Sequence, residues 1–189
     1  MQFYPGMIIT ISGNVGSGKD DVAGILAKRL NYKIYSVGNL RRDIAAKEGK
    51  TIDQFNKEGE QGRDTDKLVD DATKELGKTD DNFILVGRLG YFLIPHSFKV
   101  FIDVDEKIGA ERVLNAKRNS EPYKSAEEAI EKIRQRNESD ARRYEKVYGI
   151  KNHLNRANFD LCIDTTNLAQ EEAASTIFNS TRQHHSKTI

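Results

Sequence analysis

The sequence predicts an α/β domain in which a five-stranded parallel sheet is covered by helices on both faces. Two observations carry this prediction. Segments with helical spacing of apolar residues separate the predicted strands, as the crossovers of a parallel sheet require. The strands themselves are short apolar runs without polar alternation, which is typical of strands buried on both faces, and they span 7–11, 33–36, 82–87, 98–104 and 159–164.

The first strand leads directly into a glycine-rich loop. Residues Gly13–Lys19, GNVGSGK, have the spacing G-x-x-x-x-G-K of a P-loop, and apolar residues at helical spacing follow up to Leu30. Such a loop points successive N–H groups at an anion, and the start of the following helix adds its positive end. Lys19 supplies a mobile charge for outer phosphates. The sequence therefore predicts a phosphate-binding loop, with a plain glycine-rich turn as the alternative.

Two acids follow the loop. Asp20 stands where the Ser or Thr of this motif usually holds Mg²⁺, and Asp21 comes next. Two carboxylates near a polyphosphate would repel it unless a cation lay between them. We therefore expect Asp20 to contact Mg²⁺, directly or through water. An equally good interpretation is an acid that only complements the helix dipole.

The remaining helices follow in order. They are predicted at 38–47, from Thr51, at 64–76, at 106–118, from Ser125 to about Tyr148, and at 169–178. Thr51-Ile-Asp-Gln54 and Ser125-Ala-Glu-Glu128 are capping-box patterns. Residues 38–78 thus form a helical insert between two strands. The polar tail 182–189 is expected to be frayed, although His184 and His185 could bind a metal.

Arginines gather where a ligand should bind. Ligands of parallel sheets bind at the carboxyl ends of the strands, which brings the P-loop, residues 36–42 and Gly87–Arg88 together. Arg88 directly follows a buried strand, so we expect it to contact ligand rather than to form only a structural ion pair. The long helix carries Arg134, Arg136, Arg142 and Arg143 within ten positions.

The long helix has two interpretations. Arg136, Asp140 and Arg143 share one face by their i, i+4 and i+7 spacing. Flanking hinge signals at Asn119–Pro122 and Gly149 predict a basic lid that closes over phosphates. The alternative is a solvated helix with weak ion pairs.

Composition restricts the partners. The net charge of +1 hides an acidic segment at 51–82 (−5) and a basic one at 106–156 (+4). The basic segment has only three aromatic residues among its 13 bases, which favours phosphate over nucleic-acid strands. No apolar run is long enough for a membrane span, and the N-terminus has no signal-peptide pattern. We expect a cytoplasmic monomer that binds neither nucleic acid nor membrane, with Cys162 as a buried thiol.

These motifs resemble those of nucleoside monophosphate kinases, above all the short archaeal-type cytidylate kinases. The resemblance covers nearly the whole chain, and its most selective parts are S-x-G-x-x-x-R at Ser36–Arg42 and the pattern around RNESDARRYEKVYGI at Arg136–Ile150. Further matching segments are ISGNVGSGK at Ile11–Lys19, LVGRLGYFL at Leu85–Leu93 and AERV at Ala110–Val113.

The resemblance implies a P-loop NTPase fold that transfers phosphate from MgATP to a nucleoside monophosphate, most of all CMP or dCMP. The implied core spans 1–37, 79–118 and 150–181, with a monophosphate-binding insert at 38–78 and a lid at 119–149. The implied ATP contacts are Gly13, Asn14, Val15, Gly16, Ser17, Gly18, Lys19, Asp20, Asp21 and Arg118, with Arg112 nearby. The implied acceptor contacts are Ser36, Gly38, Arg42, Gly87, Arg88, Asn137 and Asp140.

The same resemblance implies which residues act on the transferred group. Lys19, Arg88, Arg136 and Arg142 are expected to stabilise its charge. Val86 and Asn137 stand where similar enzymes carry acids. Asp64 and Asp66 are candidate replacements. Two alternatives stay open: a kinase of the same fold for AMP, UMP or a non-nucleotide metabolite, and a non-catalytic ATP-binding regulatory module.

Overall fold

A computed structural model describes residues 6–61, 63–115 and 123–188. Five strands form one sheet in the order β2-β3-β1-β4-β5, and every pairing is parallel. All carboxyl ends therefore lie at one edge. The strands are β1 (Ile8–Gly13), β2 (Lys33–Ser36), β3 (Phe83–Val86), β4 (Phe98–Asp103) and β5 (Leu161–Asp164).

Most helices fall close to their predicted positions, although α5 was not predicted and α8 is longer than expected. They are α1 (Lys19–Leu30), α2 (Val37–Lys47), α3 (Ile52–Glu60), α4 (Thr65–Thr79), α5 (Gly90–Leu93), α6 (Glu106–Asn115), α7 (Ala126–Tyr148) and α8 (Gln170–Thr188), with a 3₁₀ turn at Arg156–Asn158. Helices α2–α4, called the insert below, lie between β2 and β3. None of the helices within the described ranges is both long and apolar enough to span a membrane.

The sheet separates two apolar layers. Successive strand residues point to opposite faces, so Ile9 and Ile11 pack with α1 and α8, whereas Ile8, Phe83 and Leu85 pack on the other face with residues of α2 and α4. Both faces are therefore covered, and the predicted fold class is confirmed.

The two capping boxes differ. At Thr51 the hydroxyl accepts from the Gln54 N–H while the Gln54 side chain accepts from the Thr51 N–H, so the box is complete. At Ser125 only half of the box forms. The Ser125 hydroxyl accepts from the Glu128 N–H, but the Glu128 carboxylate takes the Lys124 N–H instead.

Two expectations at the C-terminal end are wrong. Cys162 is exposed, because β5 is an edge strand in which only Ile163 is buried. Helix α8 continues to Thr188, past the predicted end at Phe178, and fraying of the tail stays a prediction. The segment contains no Gly or Pro that would end the helix. Thr181 is buried, and the ring centres of His184 and Phe98 lie 5.1 Å apart.

Candidate active site

A cavity of about 890 Å³ opens at the carboxyl edge of the sheet. The P-loop, the insert, the turn after β3 and helix α7 all line it. The lining includes the predicted residues Gly13, Val15, Lys19, Asp20, Ser36, Gly38, Arg42, Gly87, Arg88, Arg136 and Asp140. Segments that lie far apart in the sequence therefore meet at one site.

Close backbone contacts set the path of the P-loop. Gly16 and Gly18 have φ values of 80° and 75°, in the left-handed region that favours glycine. A Cβ on Gly16 would lie 2.1 Å from the carbonyl oxygen of Gly109 in α6. The loop therefore packs directly against α6, and only glycine fits at this point.

Side chains from outside the loop hold its shape. The Asn14 amide donates to Asp103 Oδ1 (2.5 Å), and the Thr165 hydroxyl donates to the Ser17 carbonyl (3.0 Å). Arg112 Nη2 donates to the Thr165 carbonyl (2.8 Å), and its Nη1 reaches the Gly16 carbonyl at 3.5 Å. Asn14 and Arg112 thus support the loop. Sequence reasoning missed Asp103 and Thr165, although both lie at carboxyl ends of strands.

The three charged residues that start α1 have different surroundings. Lys19 Nζ lies 3.5 Å from the Asn14 carbonyl and lines the cavity. Asp20 also lines the cavity, whereas Asp21 accepts from the Gln170 amide of α8 at 3.1 Å. Only one of the two acids is therefore placed beside the ligand space.

The two adjacent arginines of α2 also have different surroundings. Arg41 donates to Asn56 Oδ1 (2.8 Å), Thr65 Oγ1 (2.9 Å) and Asp66 Oδ1 (2.9 Å), so it ties the three insert helices together. Arg42 is exposed at the cavity and bonds the Asn39 side chain at 2.8 Å. Its charge has no ion-pair partner within the described ranges. The Ser36 hydroxyl caps α2 by accepting from the Asn39 N–H (3.1 Å).

Arg88 forms the ion pair that was one of its two expected roles, and its contact with a ligand stays a prediction. Its side chain lines the cavity, is 20% exposed, and is ion-paired with Asp140 of α7. Burial, reinforced by the nearby charge of Arg136, lowers the pKa of Arg88 to about 10. The guanidinium therefore stays charged at neutral pH. Before it, the Gly87 carbonyl accepts from Ser12 Oγ at 2.8 Å, which fixes the turn to β1.

The face of α7 that carries Arg136, Asp140 and Arg143 lines the cavity. Arg143 Nη2 donates to Asp140 Oδ1 at 2.9 Å, and Arg136 is exposed. Arg142 lies outside the cavity, 3.9 Å from Glu138 and 73% exposed, because neighbouring helix residues point about 100° apart. Asn137 does not line the cavity either. Arg118 lies outside the described residues, so its place stays a prediction.

One part of the cavity wall, formed by α4, carries two acids. Asp66 and Asp70 of α4 line it, and the Tyr148 hydroxyl donates to the Asp70 carboxylate. Burial raises the pKa of Asp70 above its ordinary value. Asp64, the other candidate acid, instead caps α4 by accepting from the Lys67 N–H at 3.0 Å.

Overall the lining is cationic. It contains six cationic side chains, Lys19, Arg41, Arg42, Arg88, Arg136 and Arg143, and four acidic ones, Asp20, Asp66, Asp70 and Asp140. The excess of two positive charges suits a polyanion.

This P-loop, helical insert and basic helix around a cationic cavity define a P-loop kinase. The model of the cytidylate kinase-like family matches residues 8–167. A cytidylate kinase of Sulfurisphaera tokodaii is 37% identical over 90% of this chain and 93% of its own length. One of Methanothrix thermoacetophila is 38% identical over 84% of this chain and 88% of its own.

The fold recurs in a solved shikimate kinase from Acinetobacter baumannii. That structure has a TM-score of 0.63 and 20% identity, with 96% of both chains covered. The chain belongs to the cytidylate kinase-like family, and it is an enzyme of the nucleoside monophosphate kinase class. The predicted family and enzyme class are confirmed.

The P-loop packing gives a first prediction. Gly16→Ala places a methyl group against the Gly109 carbonyl, 2.1 Å away, and forces the loop to shift. We expect ATP affinity, measured by calorimetry, to fall at least about tenfold, which is 1.4 kcal/mol or more. Gly24→Ala on α1 is the matched control, because nothing lies within 4 Å of its Cβ position. Wild-type affinity in Gly16→Ala would contradict the packing.

A buried histidine gives a second prediction. His153 is 3% exposed and packs edge-on against the Tyr144 ring at 5.0 Å. Burial, reinforced by the charge of Arg88, lowers its pKa from 6.5 to about 4. Between about pH 4 and 6.5, His153 is therefore protonated in the unfolded chain and neutral in the folded chain. The stability that His153 contributes is complete above pH ~6.5 and falls on acidification, by roughly 2 kcal/mol at pH 5.

Urea unfolding of the wild type and of His153→Gln from pH 7.5 to 5 measures this effect. The wild type should lose roughly 2 kcal/mol more than the variant, whose amide does not titrate. Parallel pH profiles for the two proteins would show that His153 is not held neutral.

Proposed function

We propose that the protein transfers the γ-phosphoryl group of MgATP to a nucleoside monophosphate, with CMP or dCMP as the preferred acceptor. The observation that carries the proposal is the single cavity shared by a P-loop and by arginines of the insert, the core and α7. ATP binds with its phosphates in Gly13–Lys19. The acceptor phosphate binds between Arg42 and Arg88.

Catalysis in this proposal is electrostatic. The acceptor is already an anionic phosphate oxygen, so the protein needs neither a nucleophile nor a general base. Lys19, Arg88 and Arg136 surround the space between the two phosphates and stabilise charge on the transferred group. Residues 38–78 serve as the acceptor-binding insert and 119–149, of which the structure describes 123–149, as the lid. Arg142 and Arg118 join the site when the lid closes and excludes water.

Mg²⁺ fits this site through Asp20. Mg²⁺ is typically bound by one or two carboxylates together with substrate phosphates and water. Asp20 lies at the cavity, whereas Asp21 is bonded to Gln170. When bound, the ion neutralises charge on the donor phosphates.

The acidic wall supports a cytosine acceptor. The carboxylate of Asp70 in this wall accepts hydrogen bonds, and the exocyclic amine of cytosine donates them. Uracil presents a carbonyl oxygen at the same position, which a carboxylate repels. CMP is therefore preferred over UMP.

The test is ADP release from MgATP with CMP, dCMP, UMP, AMP, shikimate or no acceptor. We expect strong stimulation by CMP or dCMP and little by the others. Stimulation by a different acceptor would replace the substrate and keep the chemistry. ATP binding without stimulation by any of them would favour the non-catalytic regulatory module.

Lys19 provides a third prediction. Lys19→Met removes the mobile charge at the transferred group, and we expect kcat to fall by at least about 100-fold with an unchanged circular dichroism spectrum. Lys28→Met, in the last turn of the same helix, is the matched control and should keep wild-type kcat. Full activity in Lys19→Met would overturn the mechanism.

A further inference from the structure

One carboxylate joins the insert to α7. Asp66 Oδ1 accepts from Arg41 Nη1 at 2.9 Å, and Asp66 Oδ2 accepts from Arg143 Nη1 at 2.8 Å. Arg41 belongs to α2 and Arg143 to α7, and both line the cavity. Two elements that line the ligand space are therefore bridged by a single side chain.

On the insert side, Arg41 of α2 is held in place by contacts with the other two helices. Arg41 also bonds Asn56 of α3 and Thr65 of α4, and its guanidinium lies 5.3 Å from the centre of the buried Phe55 ring. Asp66 follows Thr65 directly in the first turn of α4. The position of Asp66 is thus tied to the packing of all three insert helices.

On α7, Arg143 is held by several hydrogen bonds, but not all of its N–H donors are occupied. Its Nη2 donates to Asp140, which is ion-paired with Arg88 of the core, and lies 3.5 Å from the Tyr144 hydroxyl. A guanidinium has five N–H donors, so after these bonds and the one to Asp66 it keeps donors for a ligand in the cavity. Fixing Arg143 at both ends orients those donors.

A second contact joins the same two elements. The Tyr148 hydroxyl in the last turn of α7 donates to the Asp70 carboxylate, one turn after Asp66 on α4. The contacts at 66 and 70 follow the i, i+4 spacing of one helix face. The insert and α7 therefore meet along a line of contacts rather than at one point.

We propose that Asp66 is a positioning residue that couples the acceptor site to the lid. The proposal rests on the proposed function. An acceptor that orders the insert fixes the position of Asp66. Asp66 in turn fixes Arg143, and Arg143 stabilises the conformation of α7 that closes over ATP. Acceptor and ATP then strengthen each other's binding, because coupling between two sites is reciprocal.

A purely structural ion pair makes a different prediction. Asp66 and Arg143 are 32% and 45% exposed, and pairs of such exposure contribute little to stability. If Asp66 only stabilised the fold, its loss would lower the unfolding temperature and leave the coupling between ligands unchanged. The coupling is thus the quantity to measure.

The experiment is calorimetric titration of a non-hydrolysable ATP analogue with Mg²⁺, with and without saturating CMP. In the wild type we expect CMP to tighten analogue binding by about 5- to 100-fold. In Asp66→Asn this factor should fall to about one or two, while analogue affinity without CMP stays within about twofold of wild type. Asp71→Asn is the matched control, because Asp71 is an exposed acid on the same helix, and it should keep the wild-type factor.

Tyr148→Phe keeps the test decisive if Asp66→Asn does not fold. It removes the second contact without changing charge and should also lower the coupling factor. A wild-type factor of one, or an undiminished factor in both variants, overturns the inference. Phosphoryl transfer to CMP by the wild type would still support the proposed function in either case, so the two failures are distinguishable.

Discussion

The ion pair between Arg88 and Asp140 is the contact on which the rest of the site depends. Arg88 follows β3 in the core, and Asp140 lies on the buried face of α7. Removing one partner of a buried pair leaves an uncompensated charge, which costs about 3–5 kcal/mol. The pair therefore anchors α7 to the core beside the cavity, which Arg136 and Arg143 line together with the P-loop.

Around this pair, acids hold the arginines in place. Asp140 contacts Arg88 and Arg143, and Asp66 contacts Arg41 and Arg143. Arg42 and Arg136 make no such pairs within the described ranges, and both line the cavity. The site thus combines fixed cations, which set its shape, with cations whose charge is available to a phosphate. Because acids neutralise part of the positive charge, several arginines can line one cavity without strong mutual repulsion.

The sequence predicts the fold well because its local signals agree. Buried strands, a glycine loop and amphipathic helices alternate, and the carboxyl-edge rule then brings the P-loop, Arg42 and Arg88 together. The i, i+4, i+7 spacing even identifies the face of α7 that lines the cavity. The resemblance instead emphasised Arg142, which is exposed on another face of the helix.

Other features depend on distant contacts that no local pattern encodes. Asp103 and Thr165 support the P-loop from two other strands. Cys162 lies in an apolar run yet is exposed, because strand order places β5 at the edge of the sheet. Helix α8 extends beyond its last predicted apolar residue, Phe178, because no Gly or Pro follows to end it. Each of these outcomes follows from topology or packing rather than from the composition of the segment.

The most direct test of the central claim follows the phosphorus atom itself. ATP labelled with ³²P in the γ-phosphate is incubated with Mg²⁺, the enzyme and CMP, and the products are separated by thin-layer chromatography. Our account predicts that the label appears in CDP and that little inorganic phosphate forms, because both ligands share one cavity from which closure excludes water. Label released mainly as inorganic phosphate, whether or not CMP is present, would contradict it.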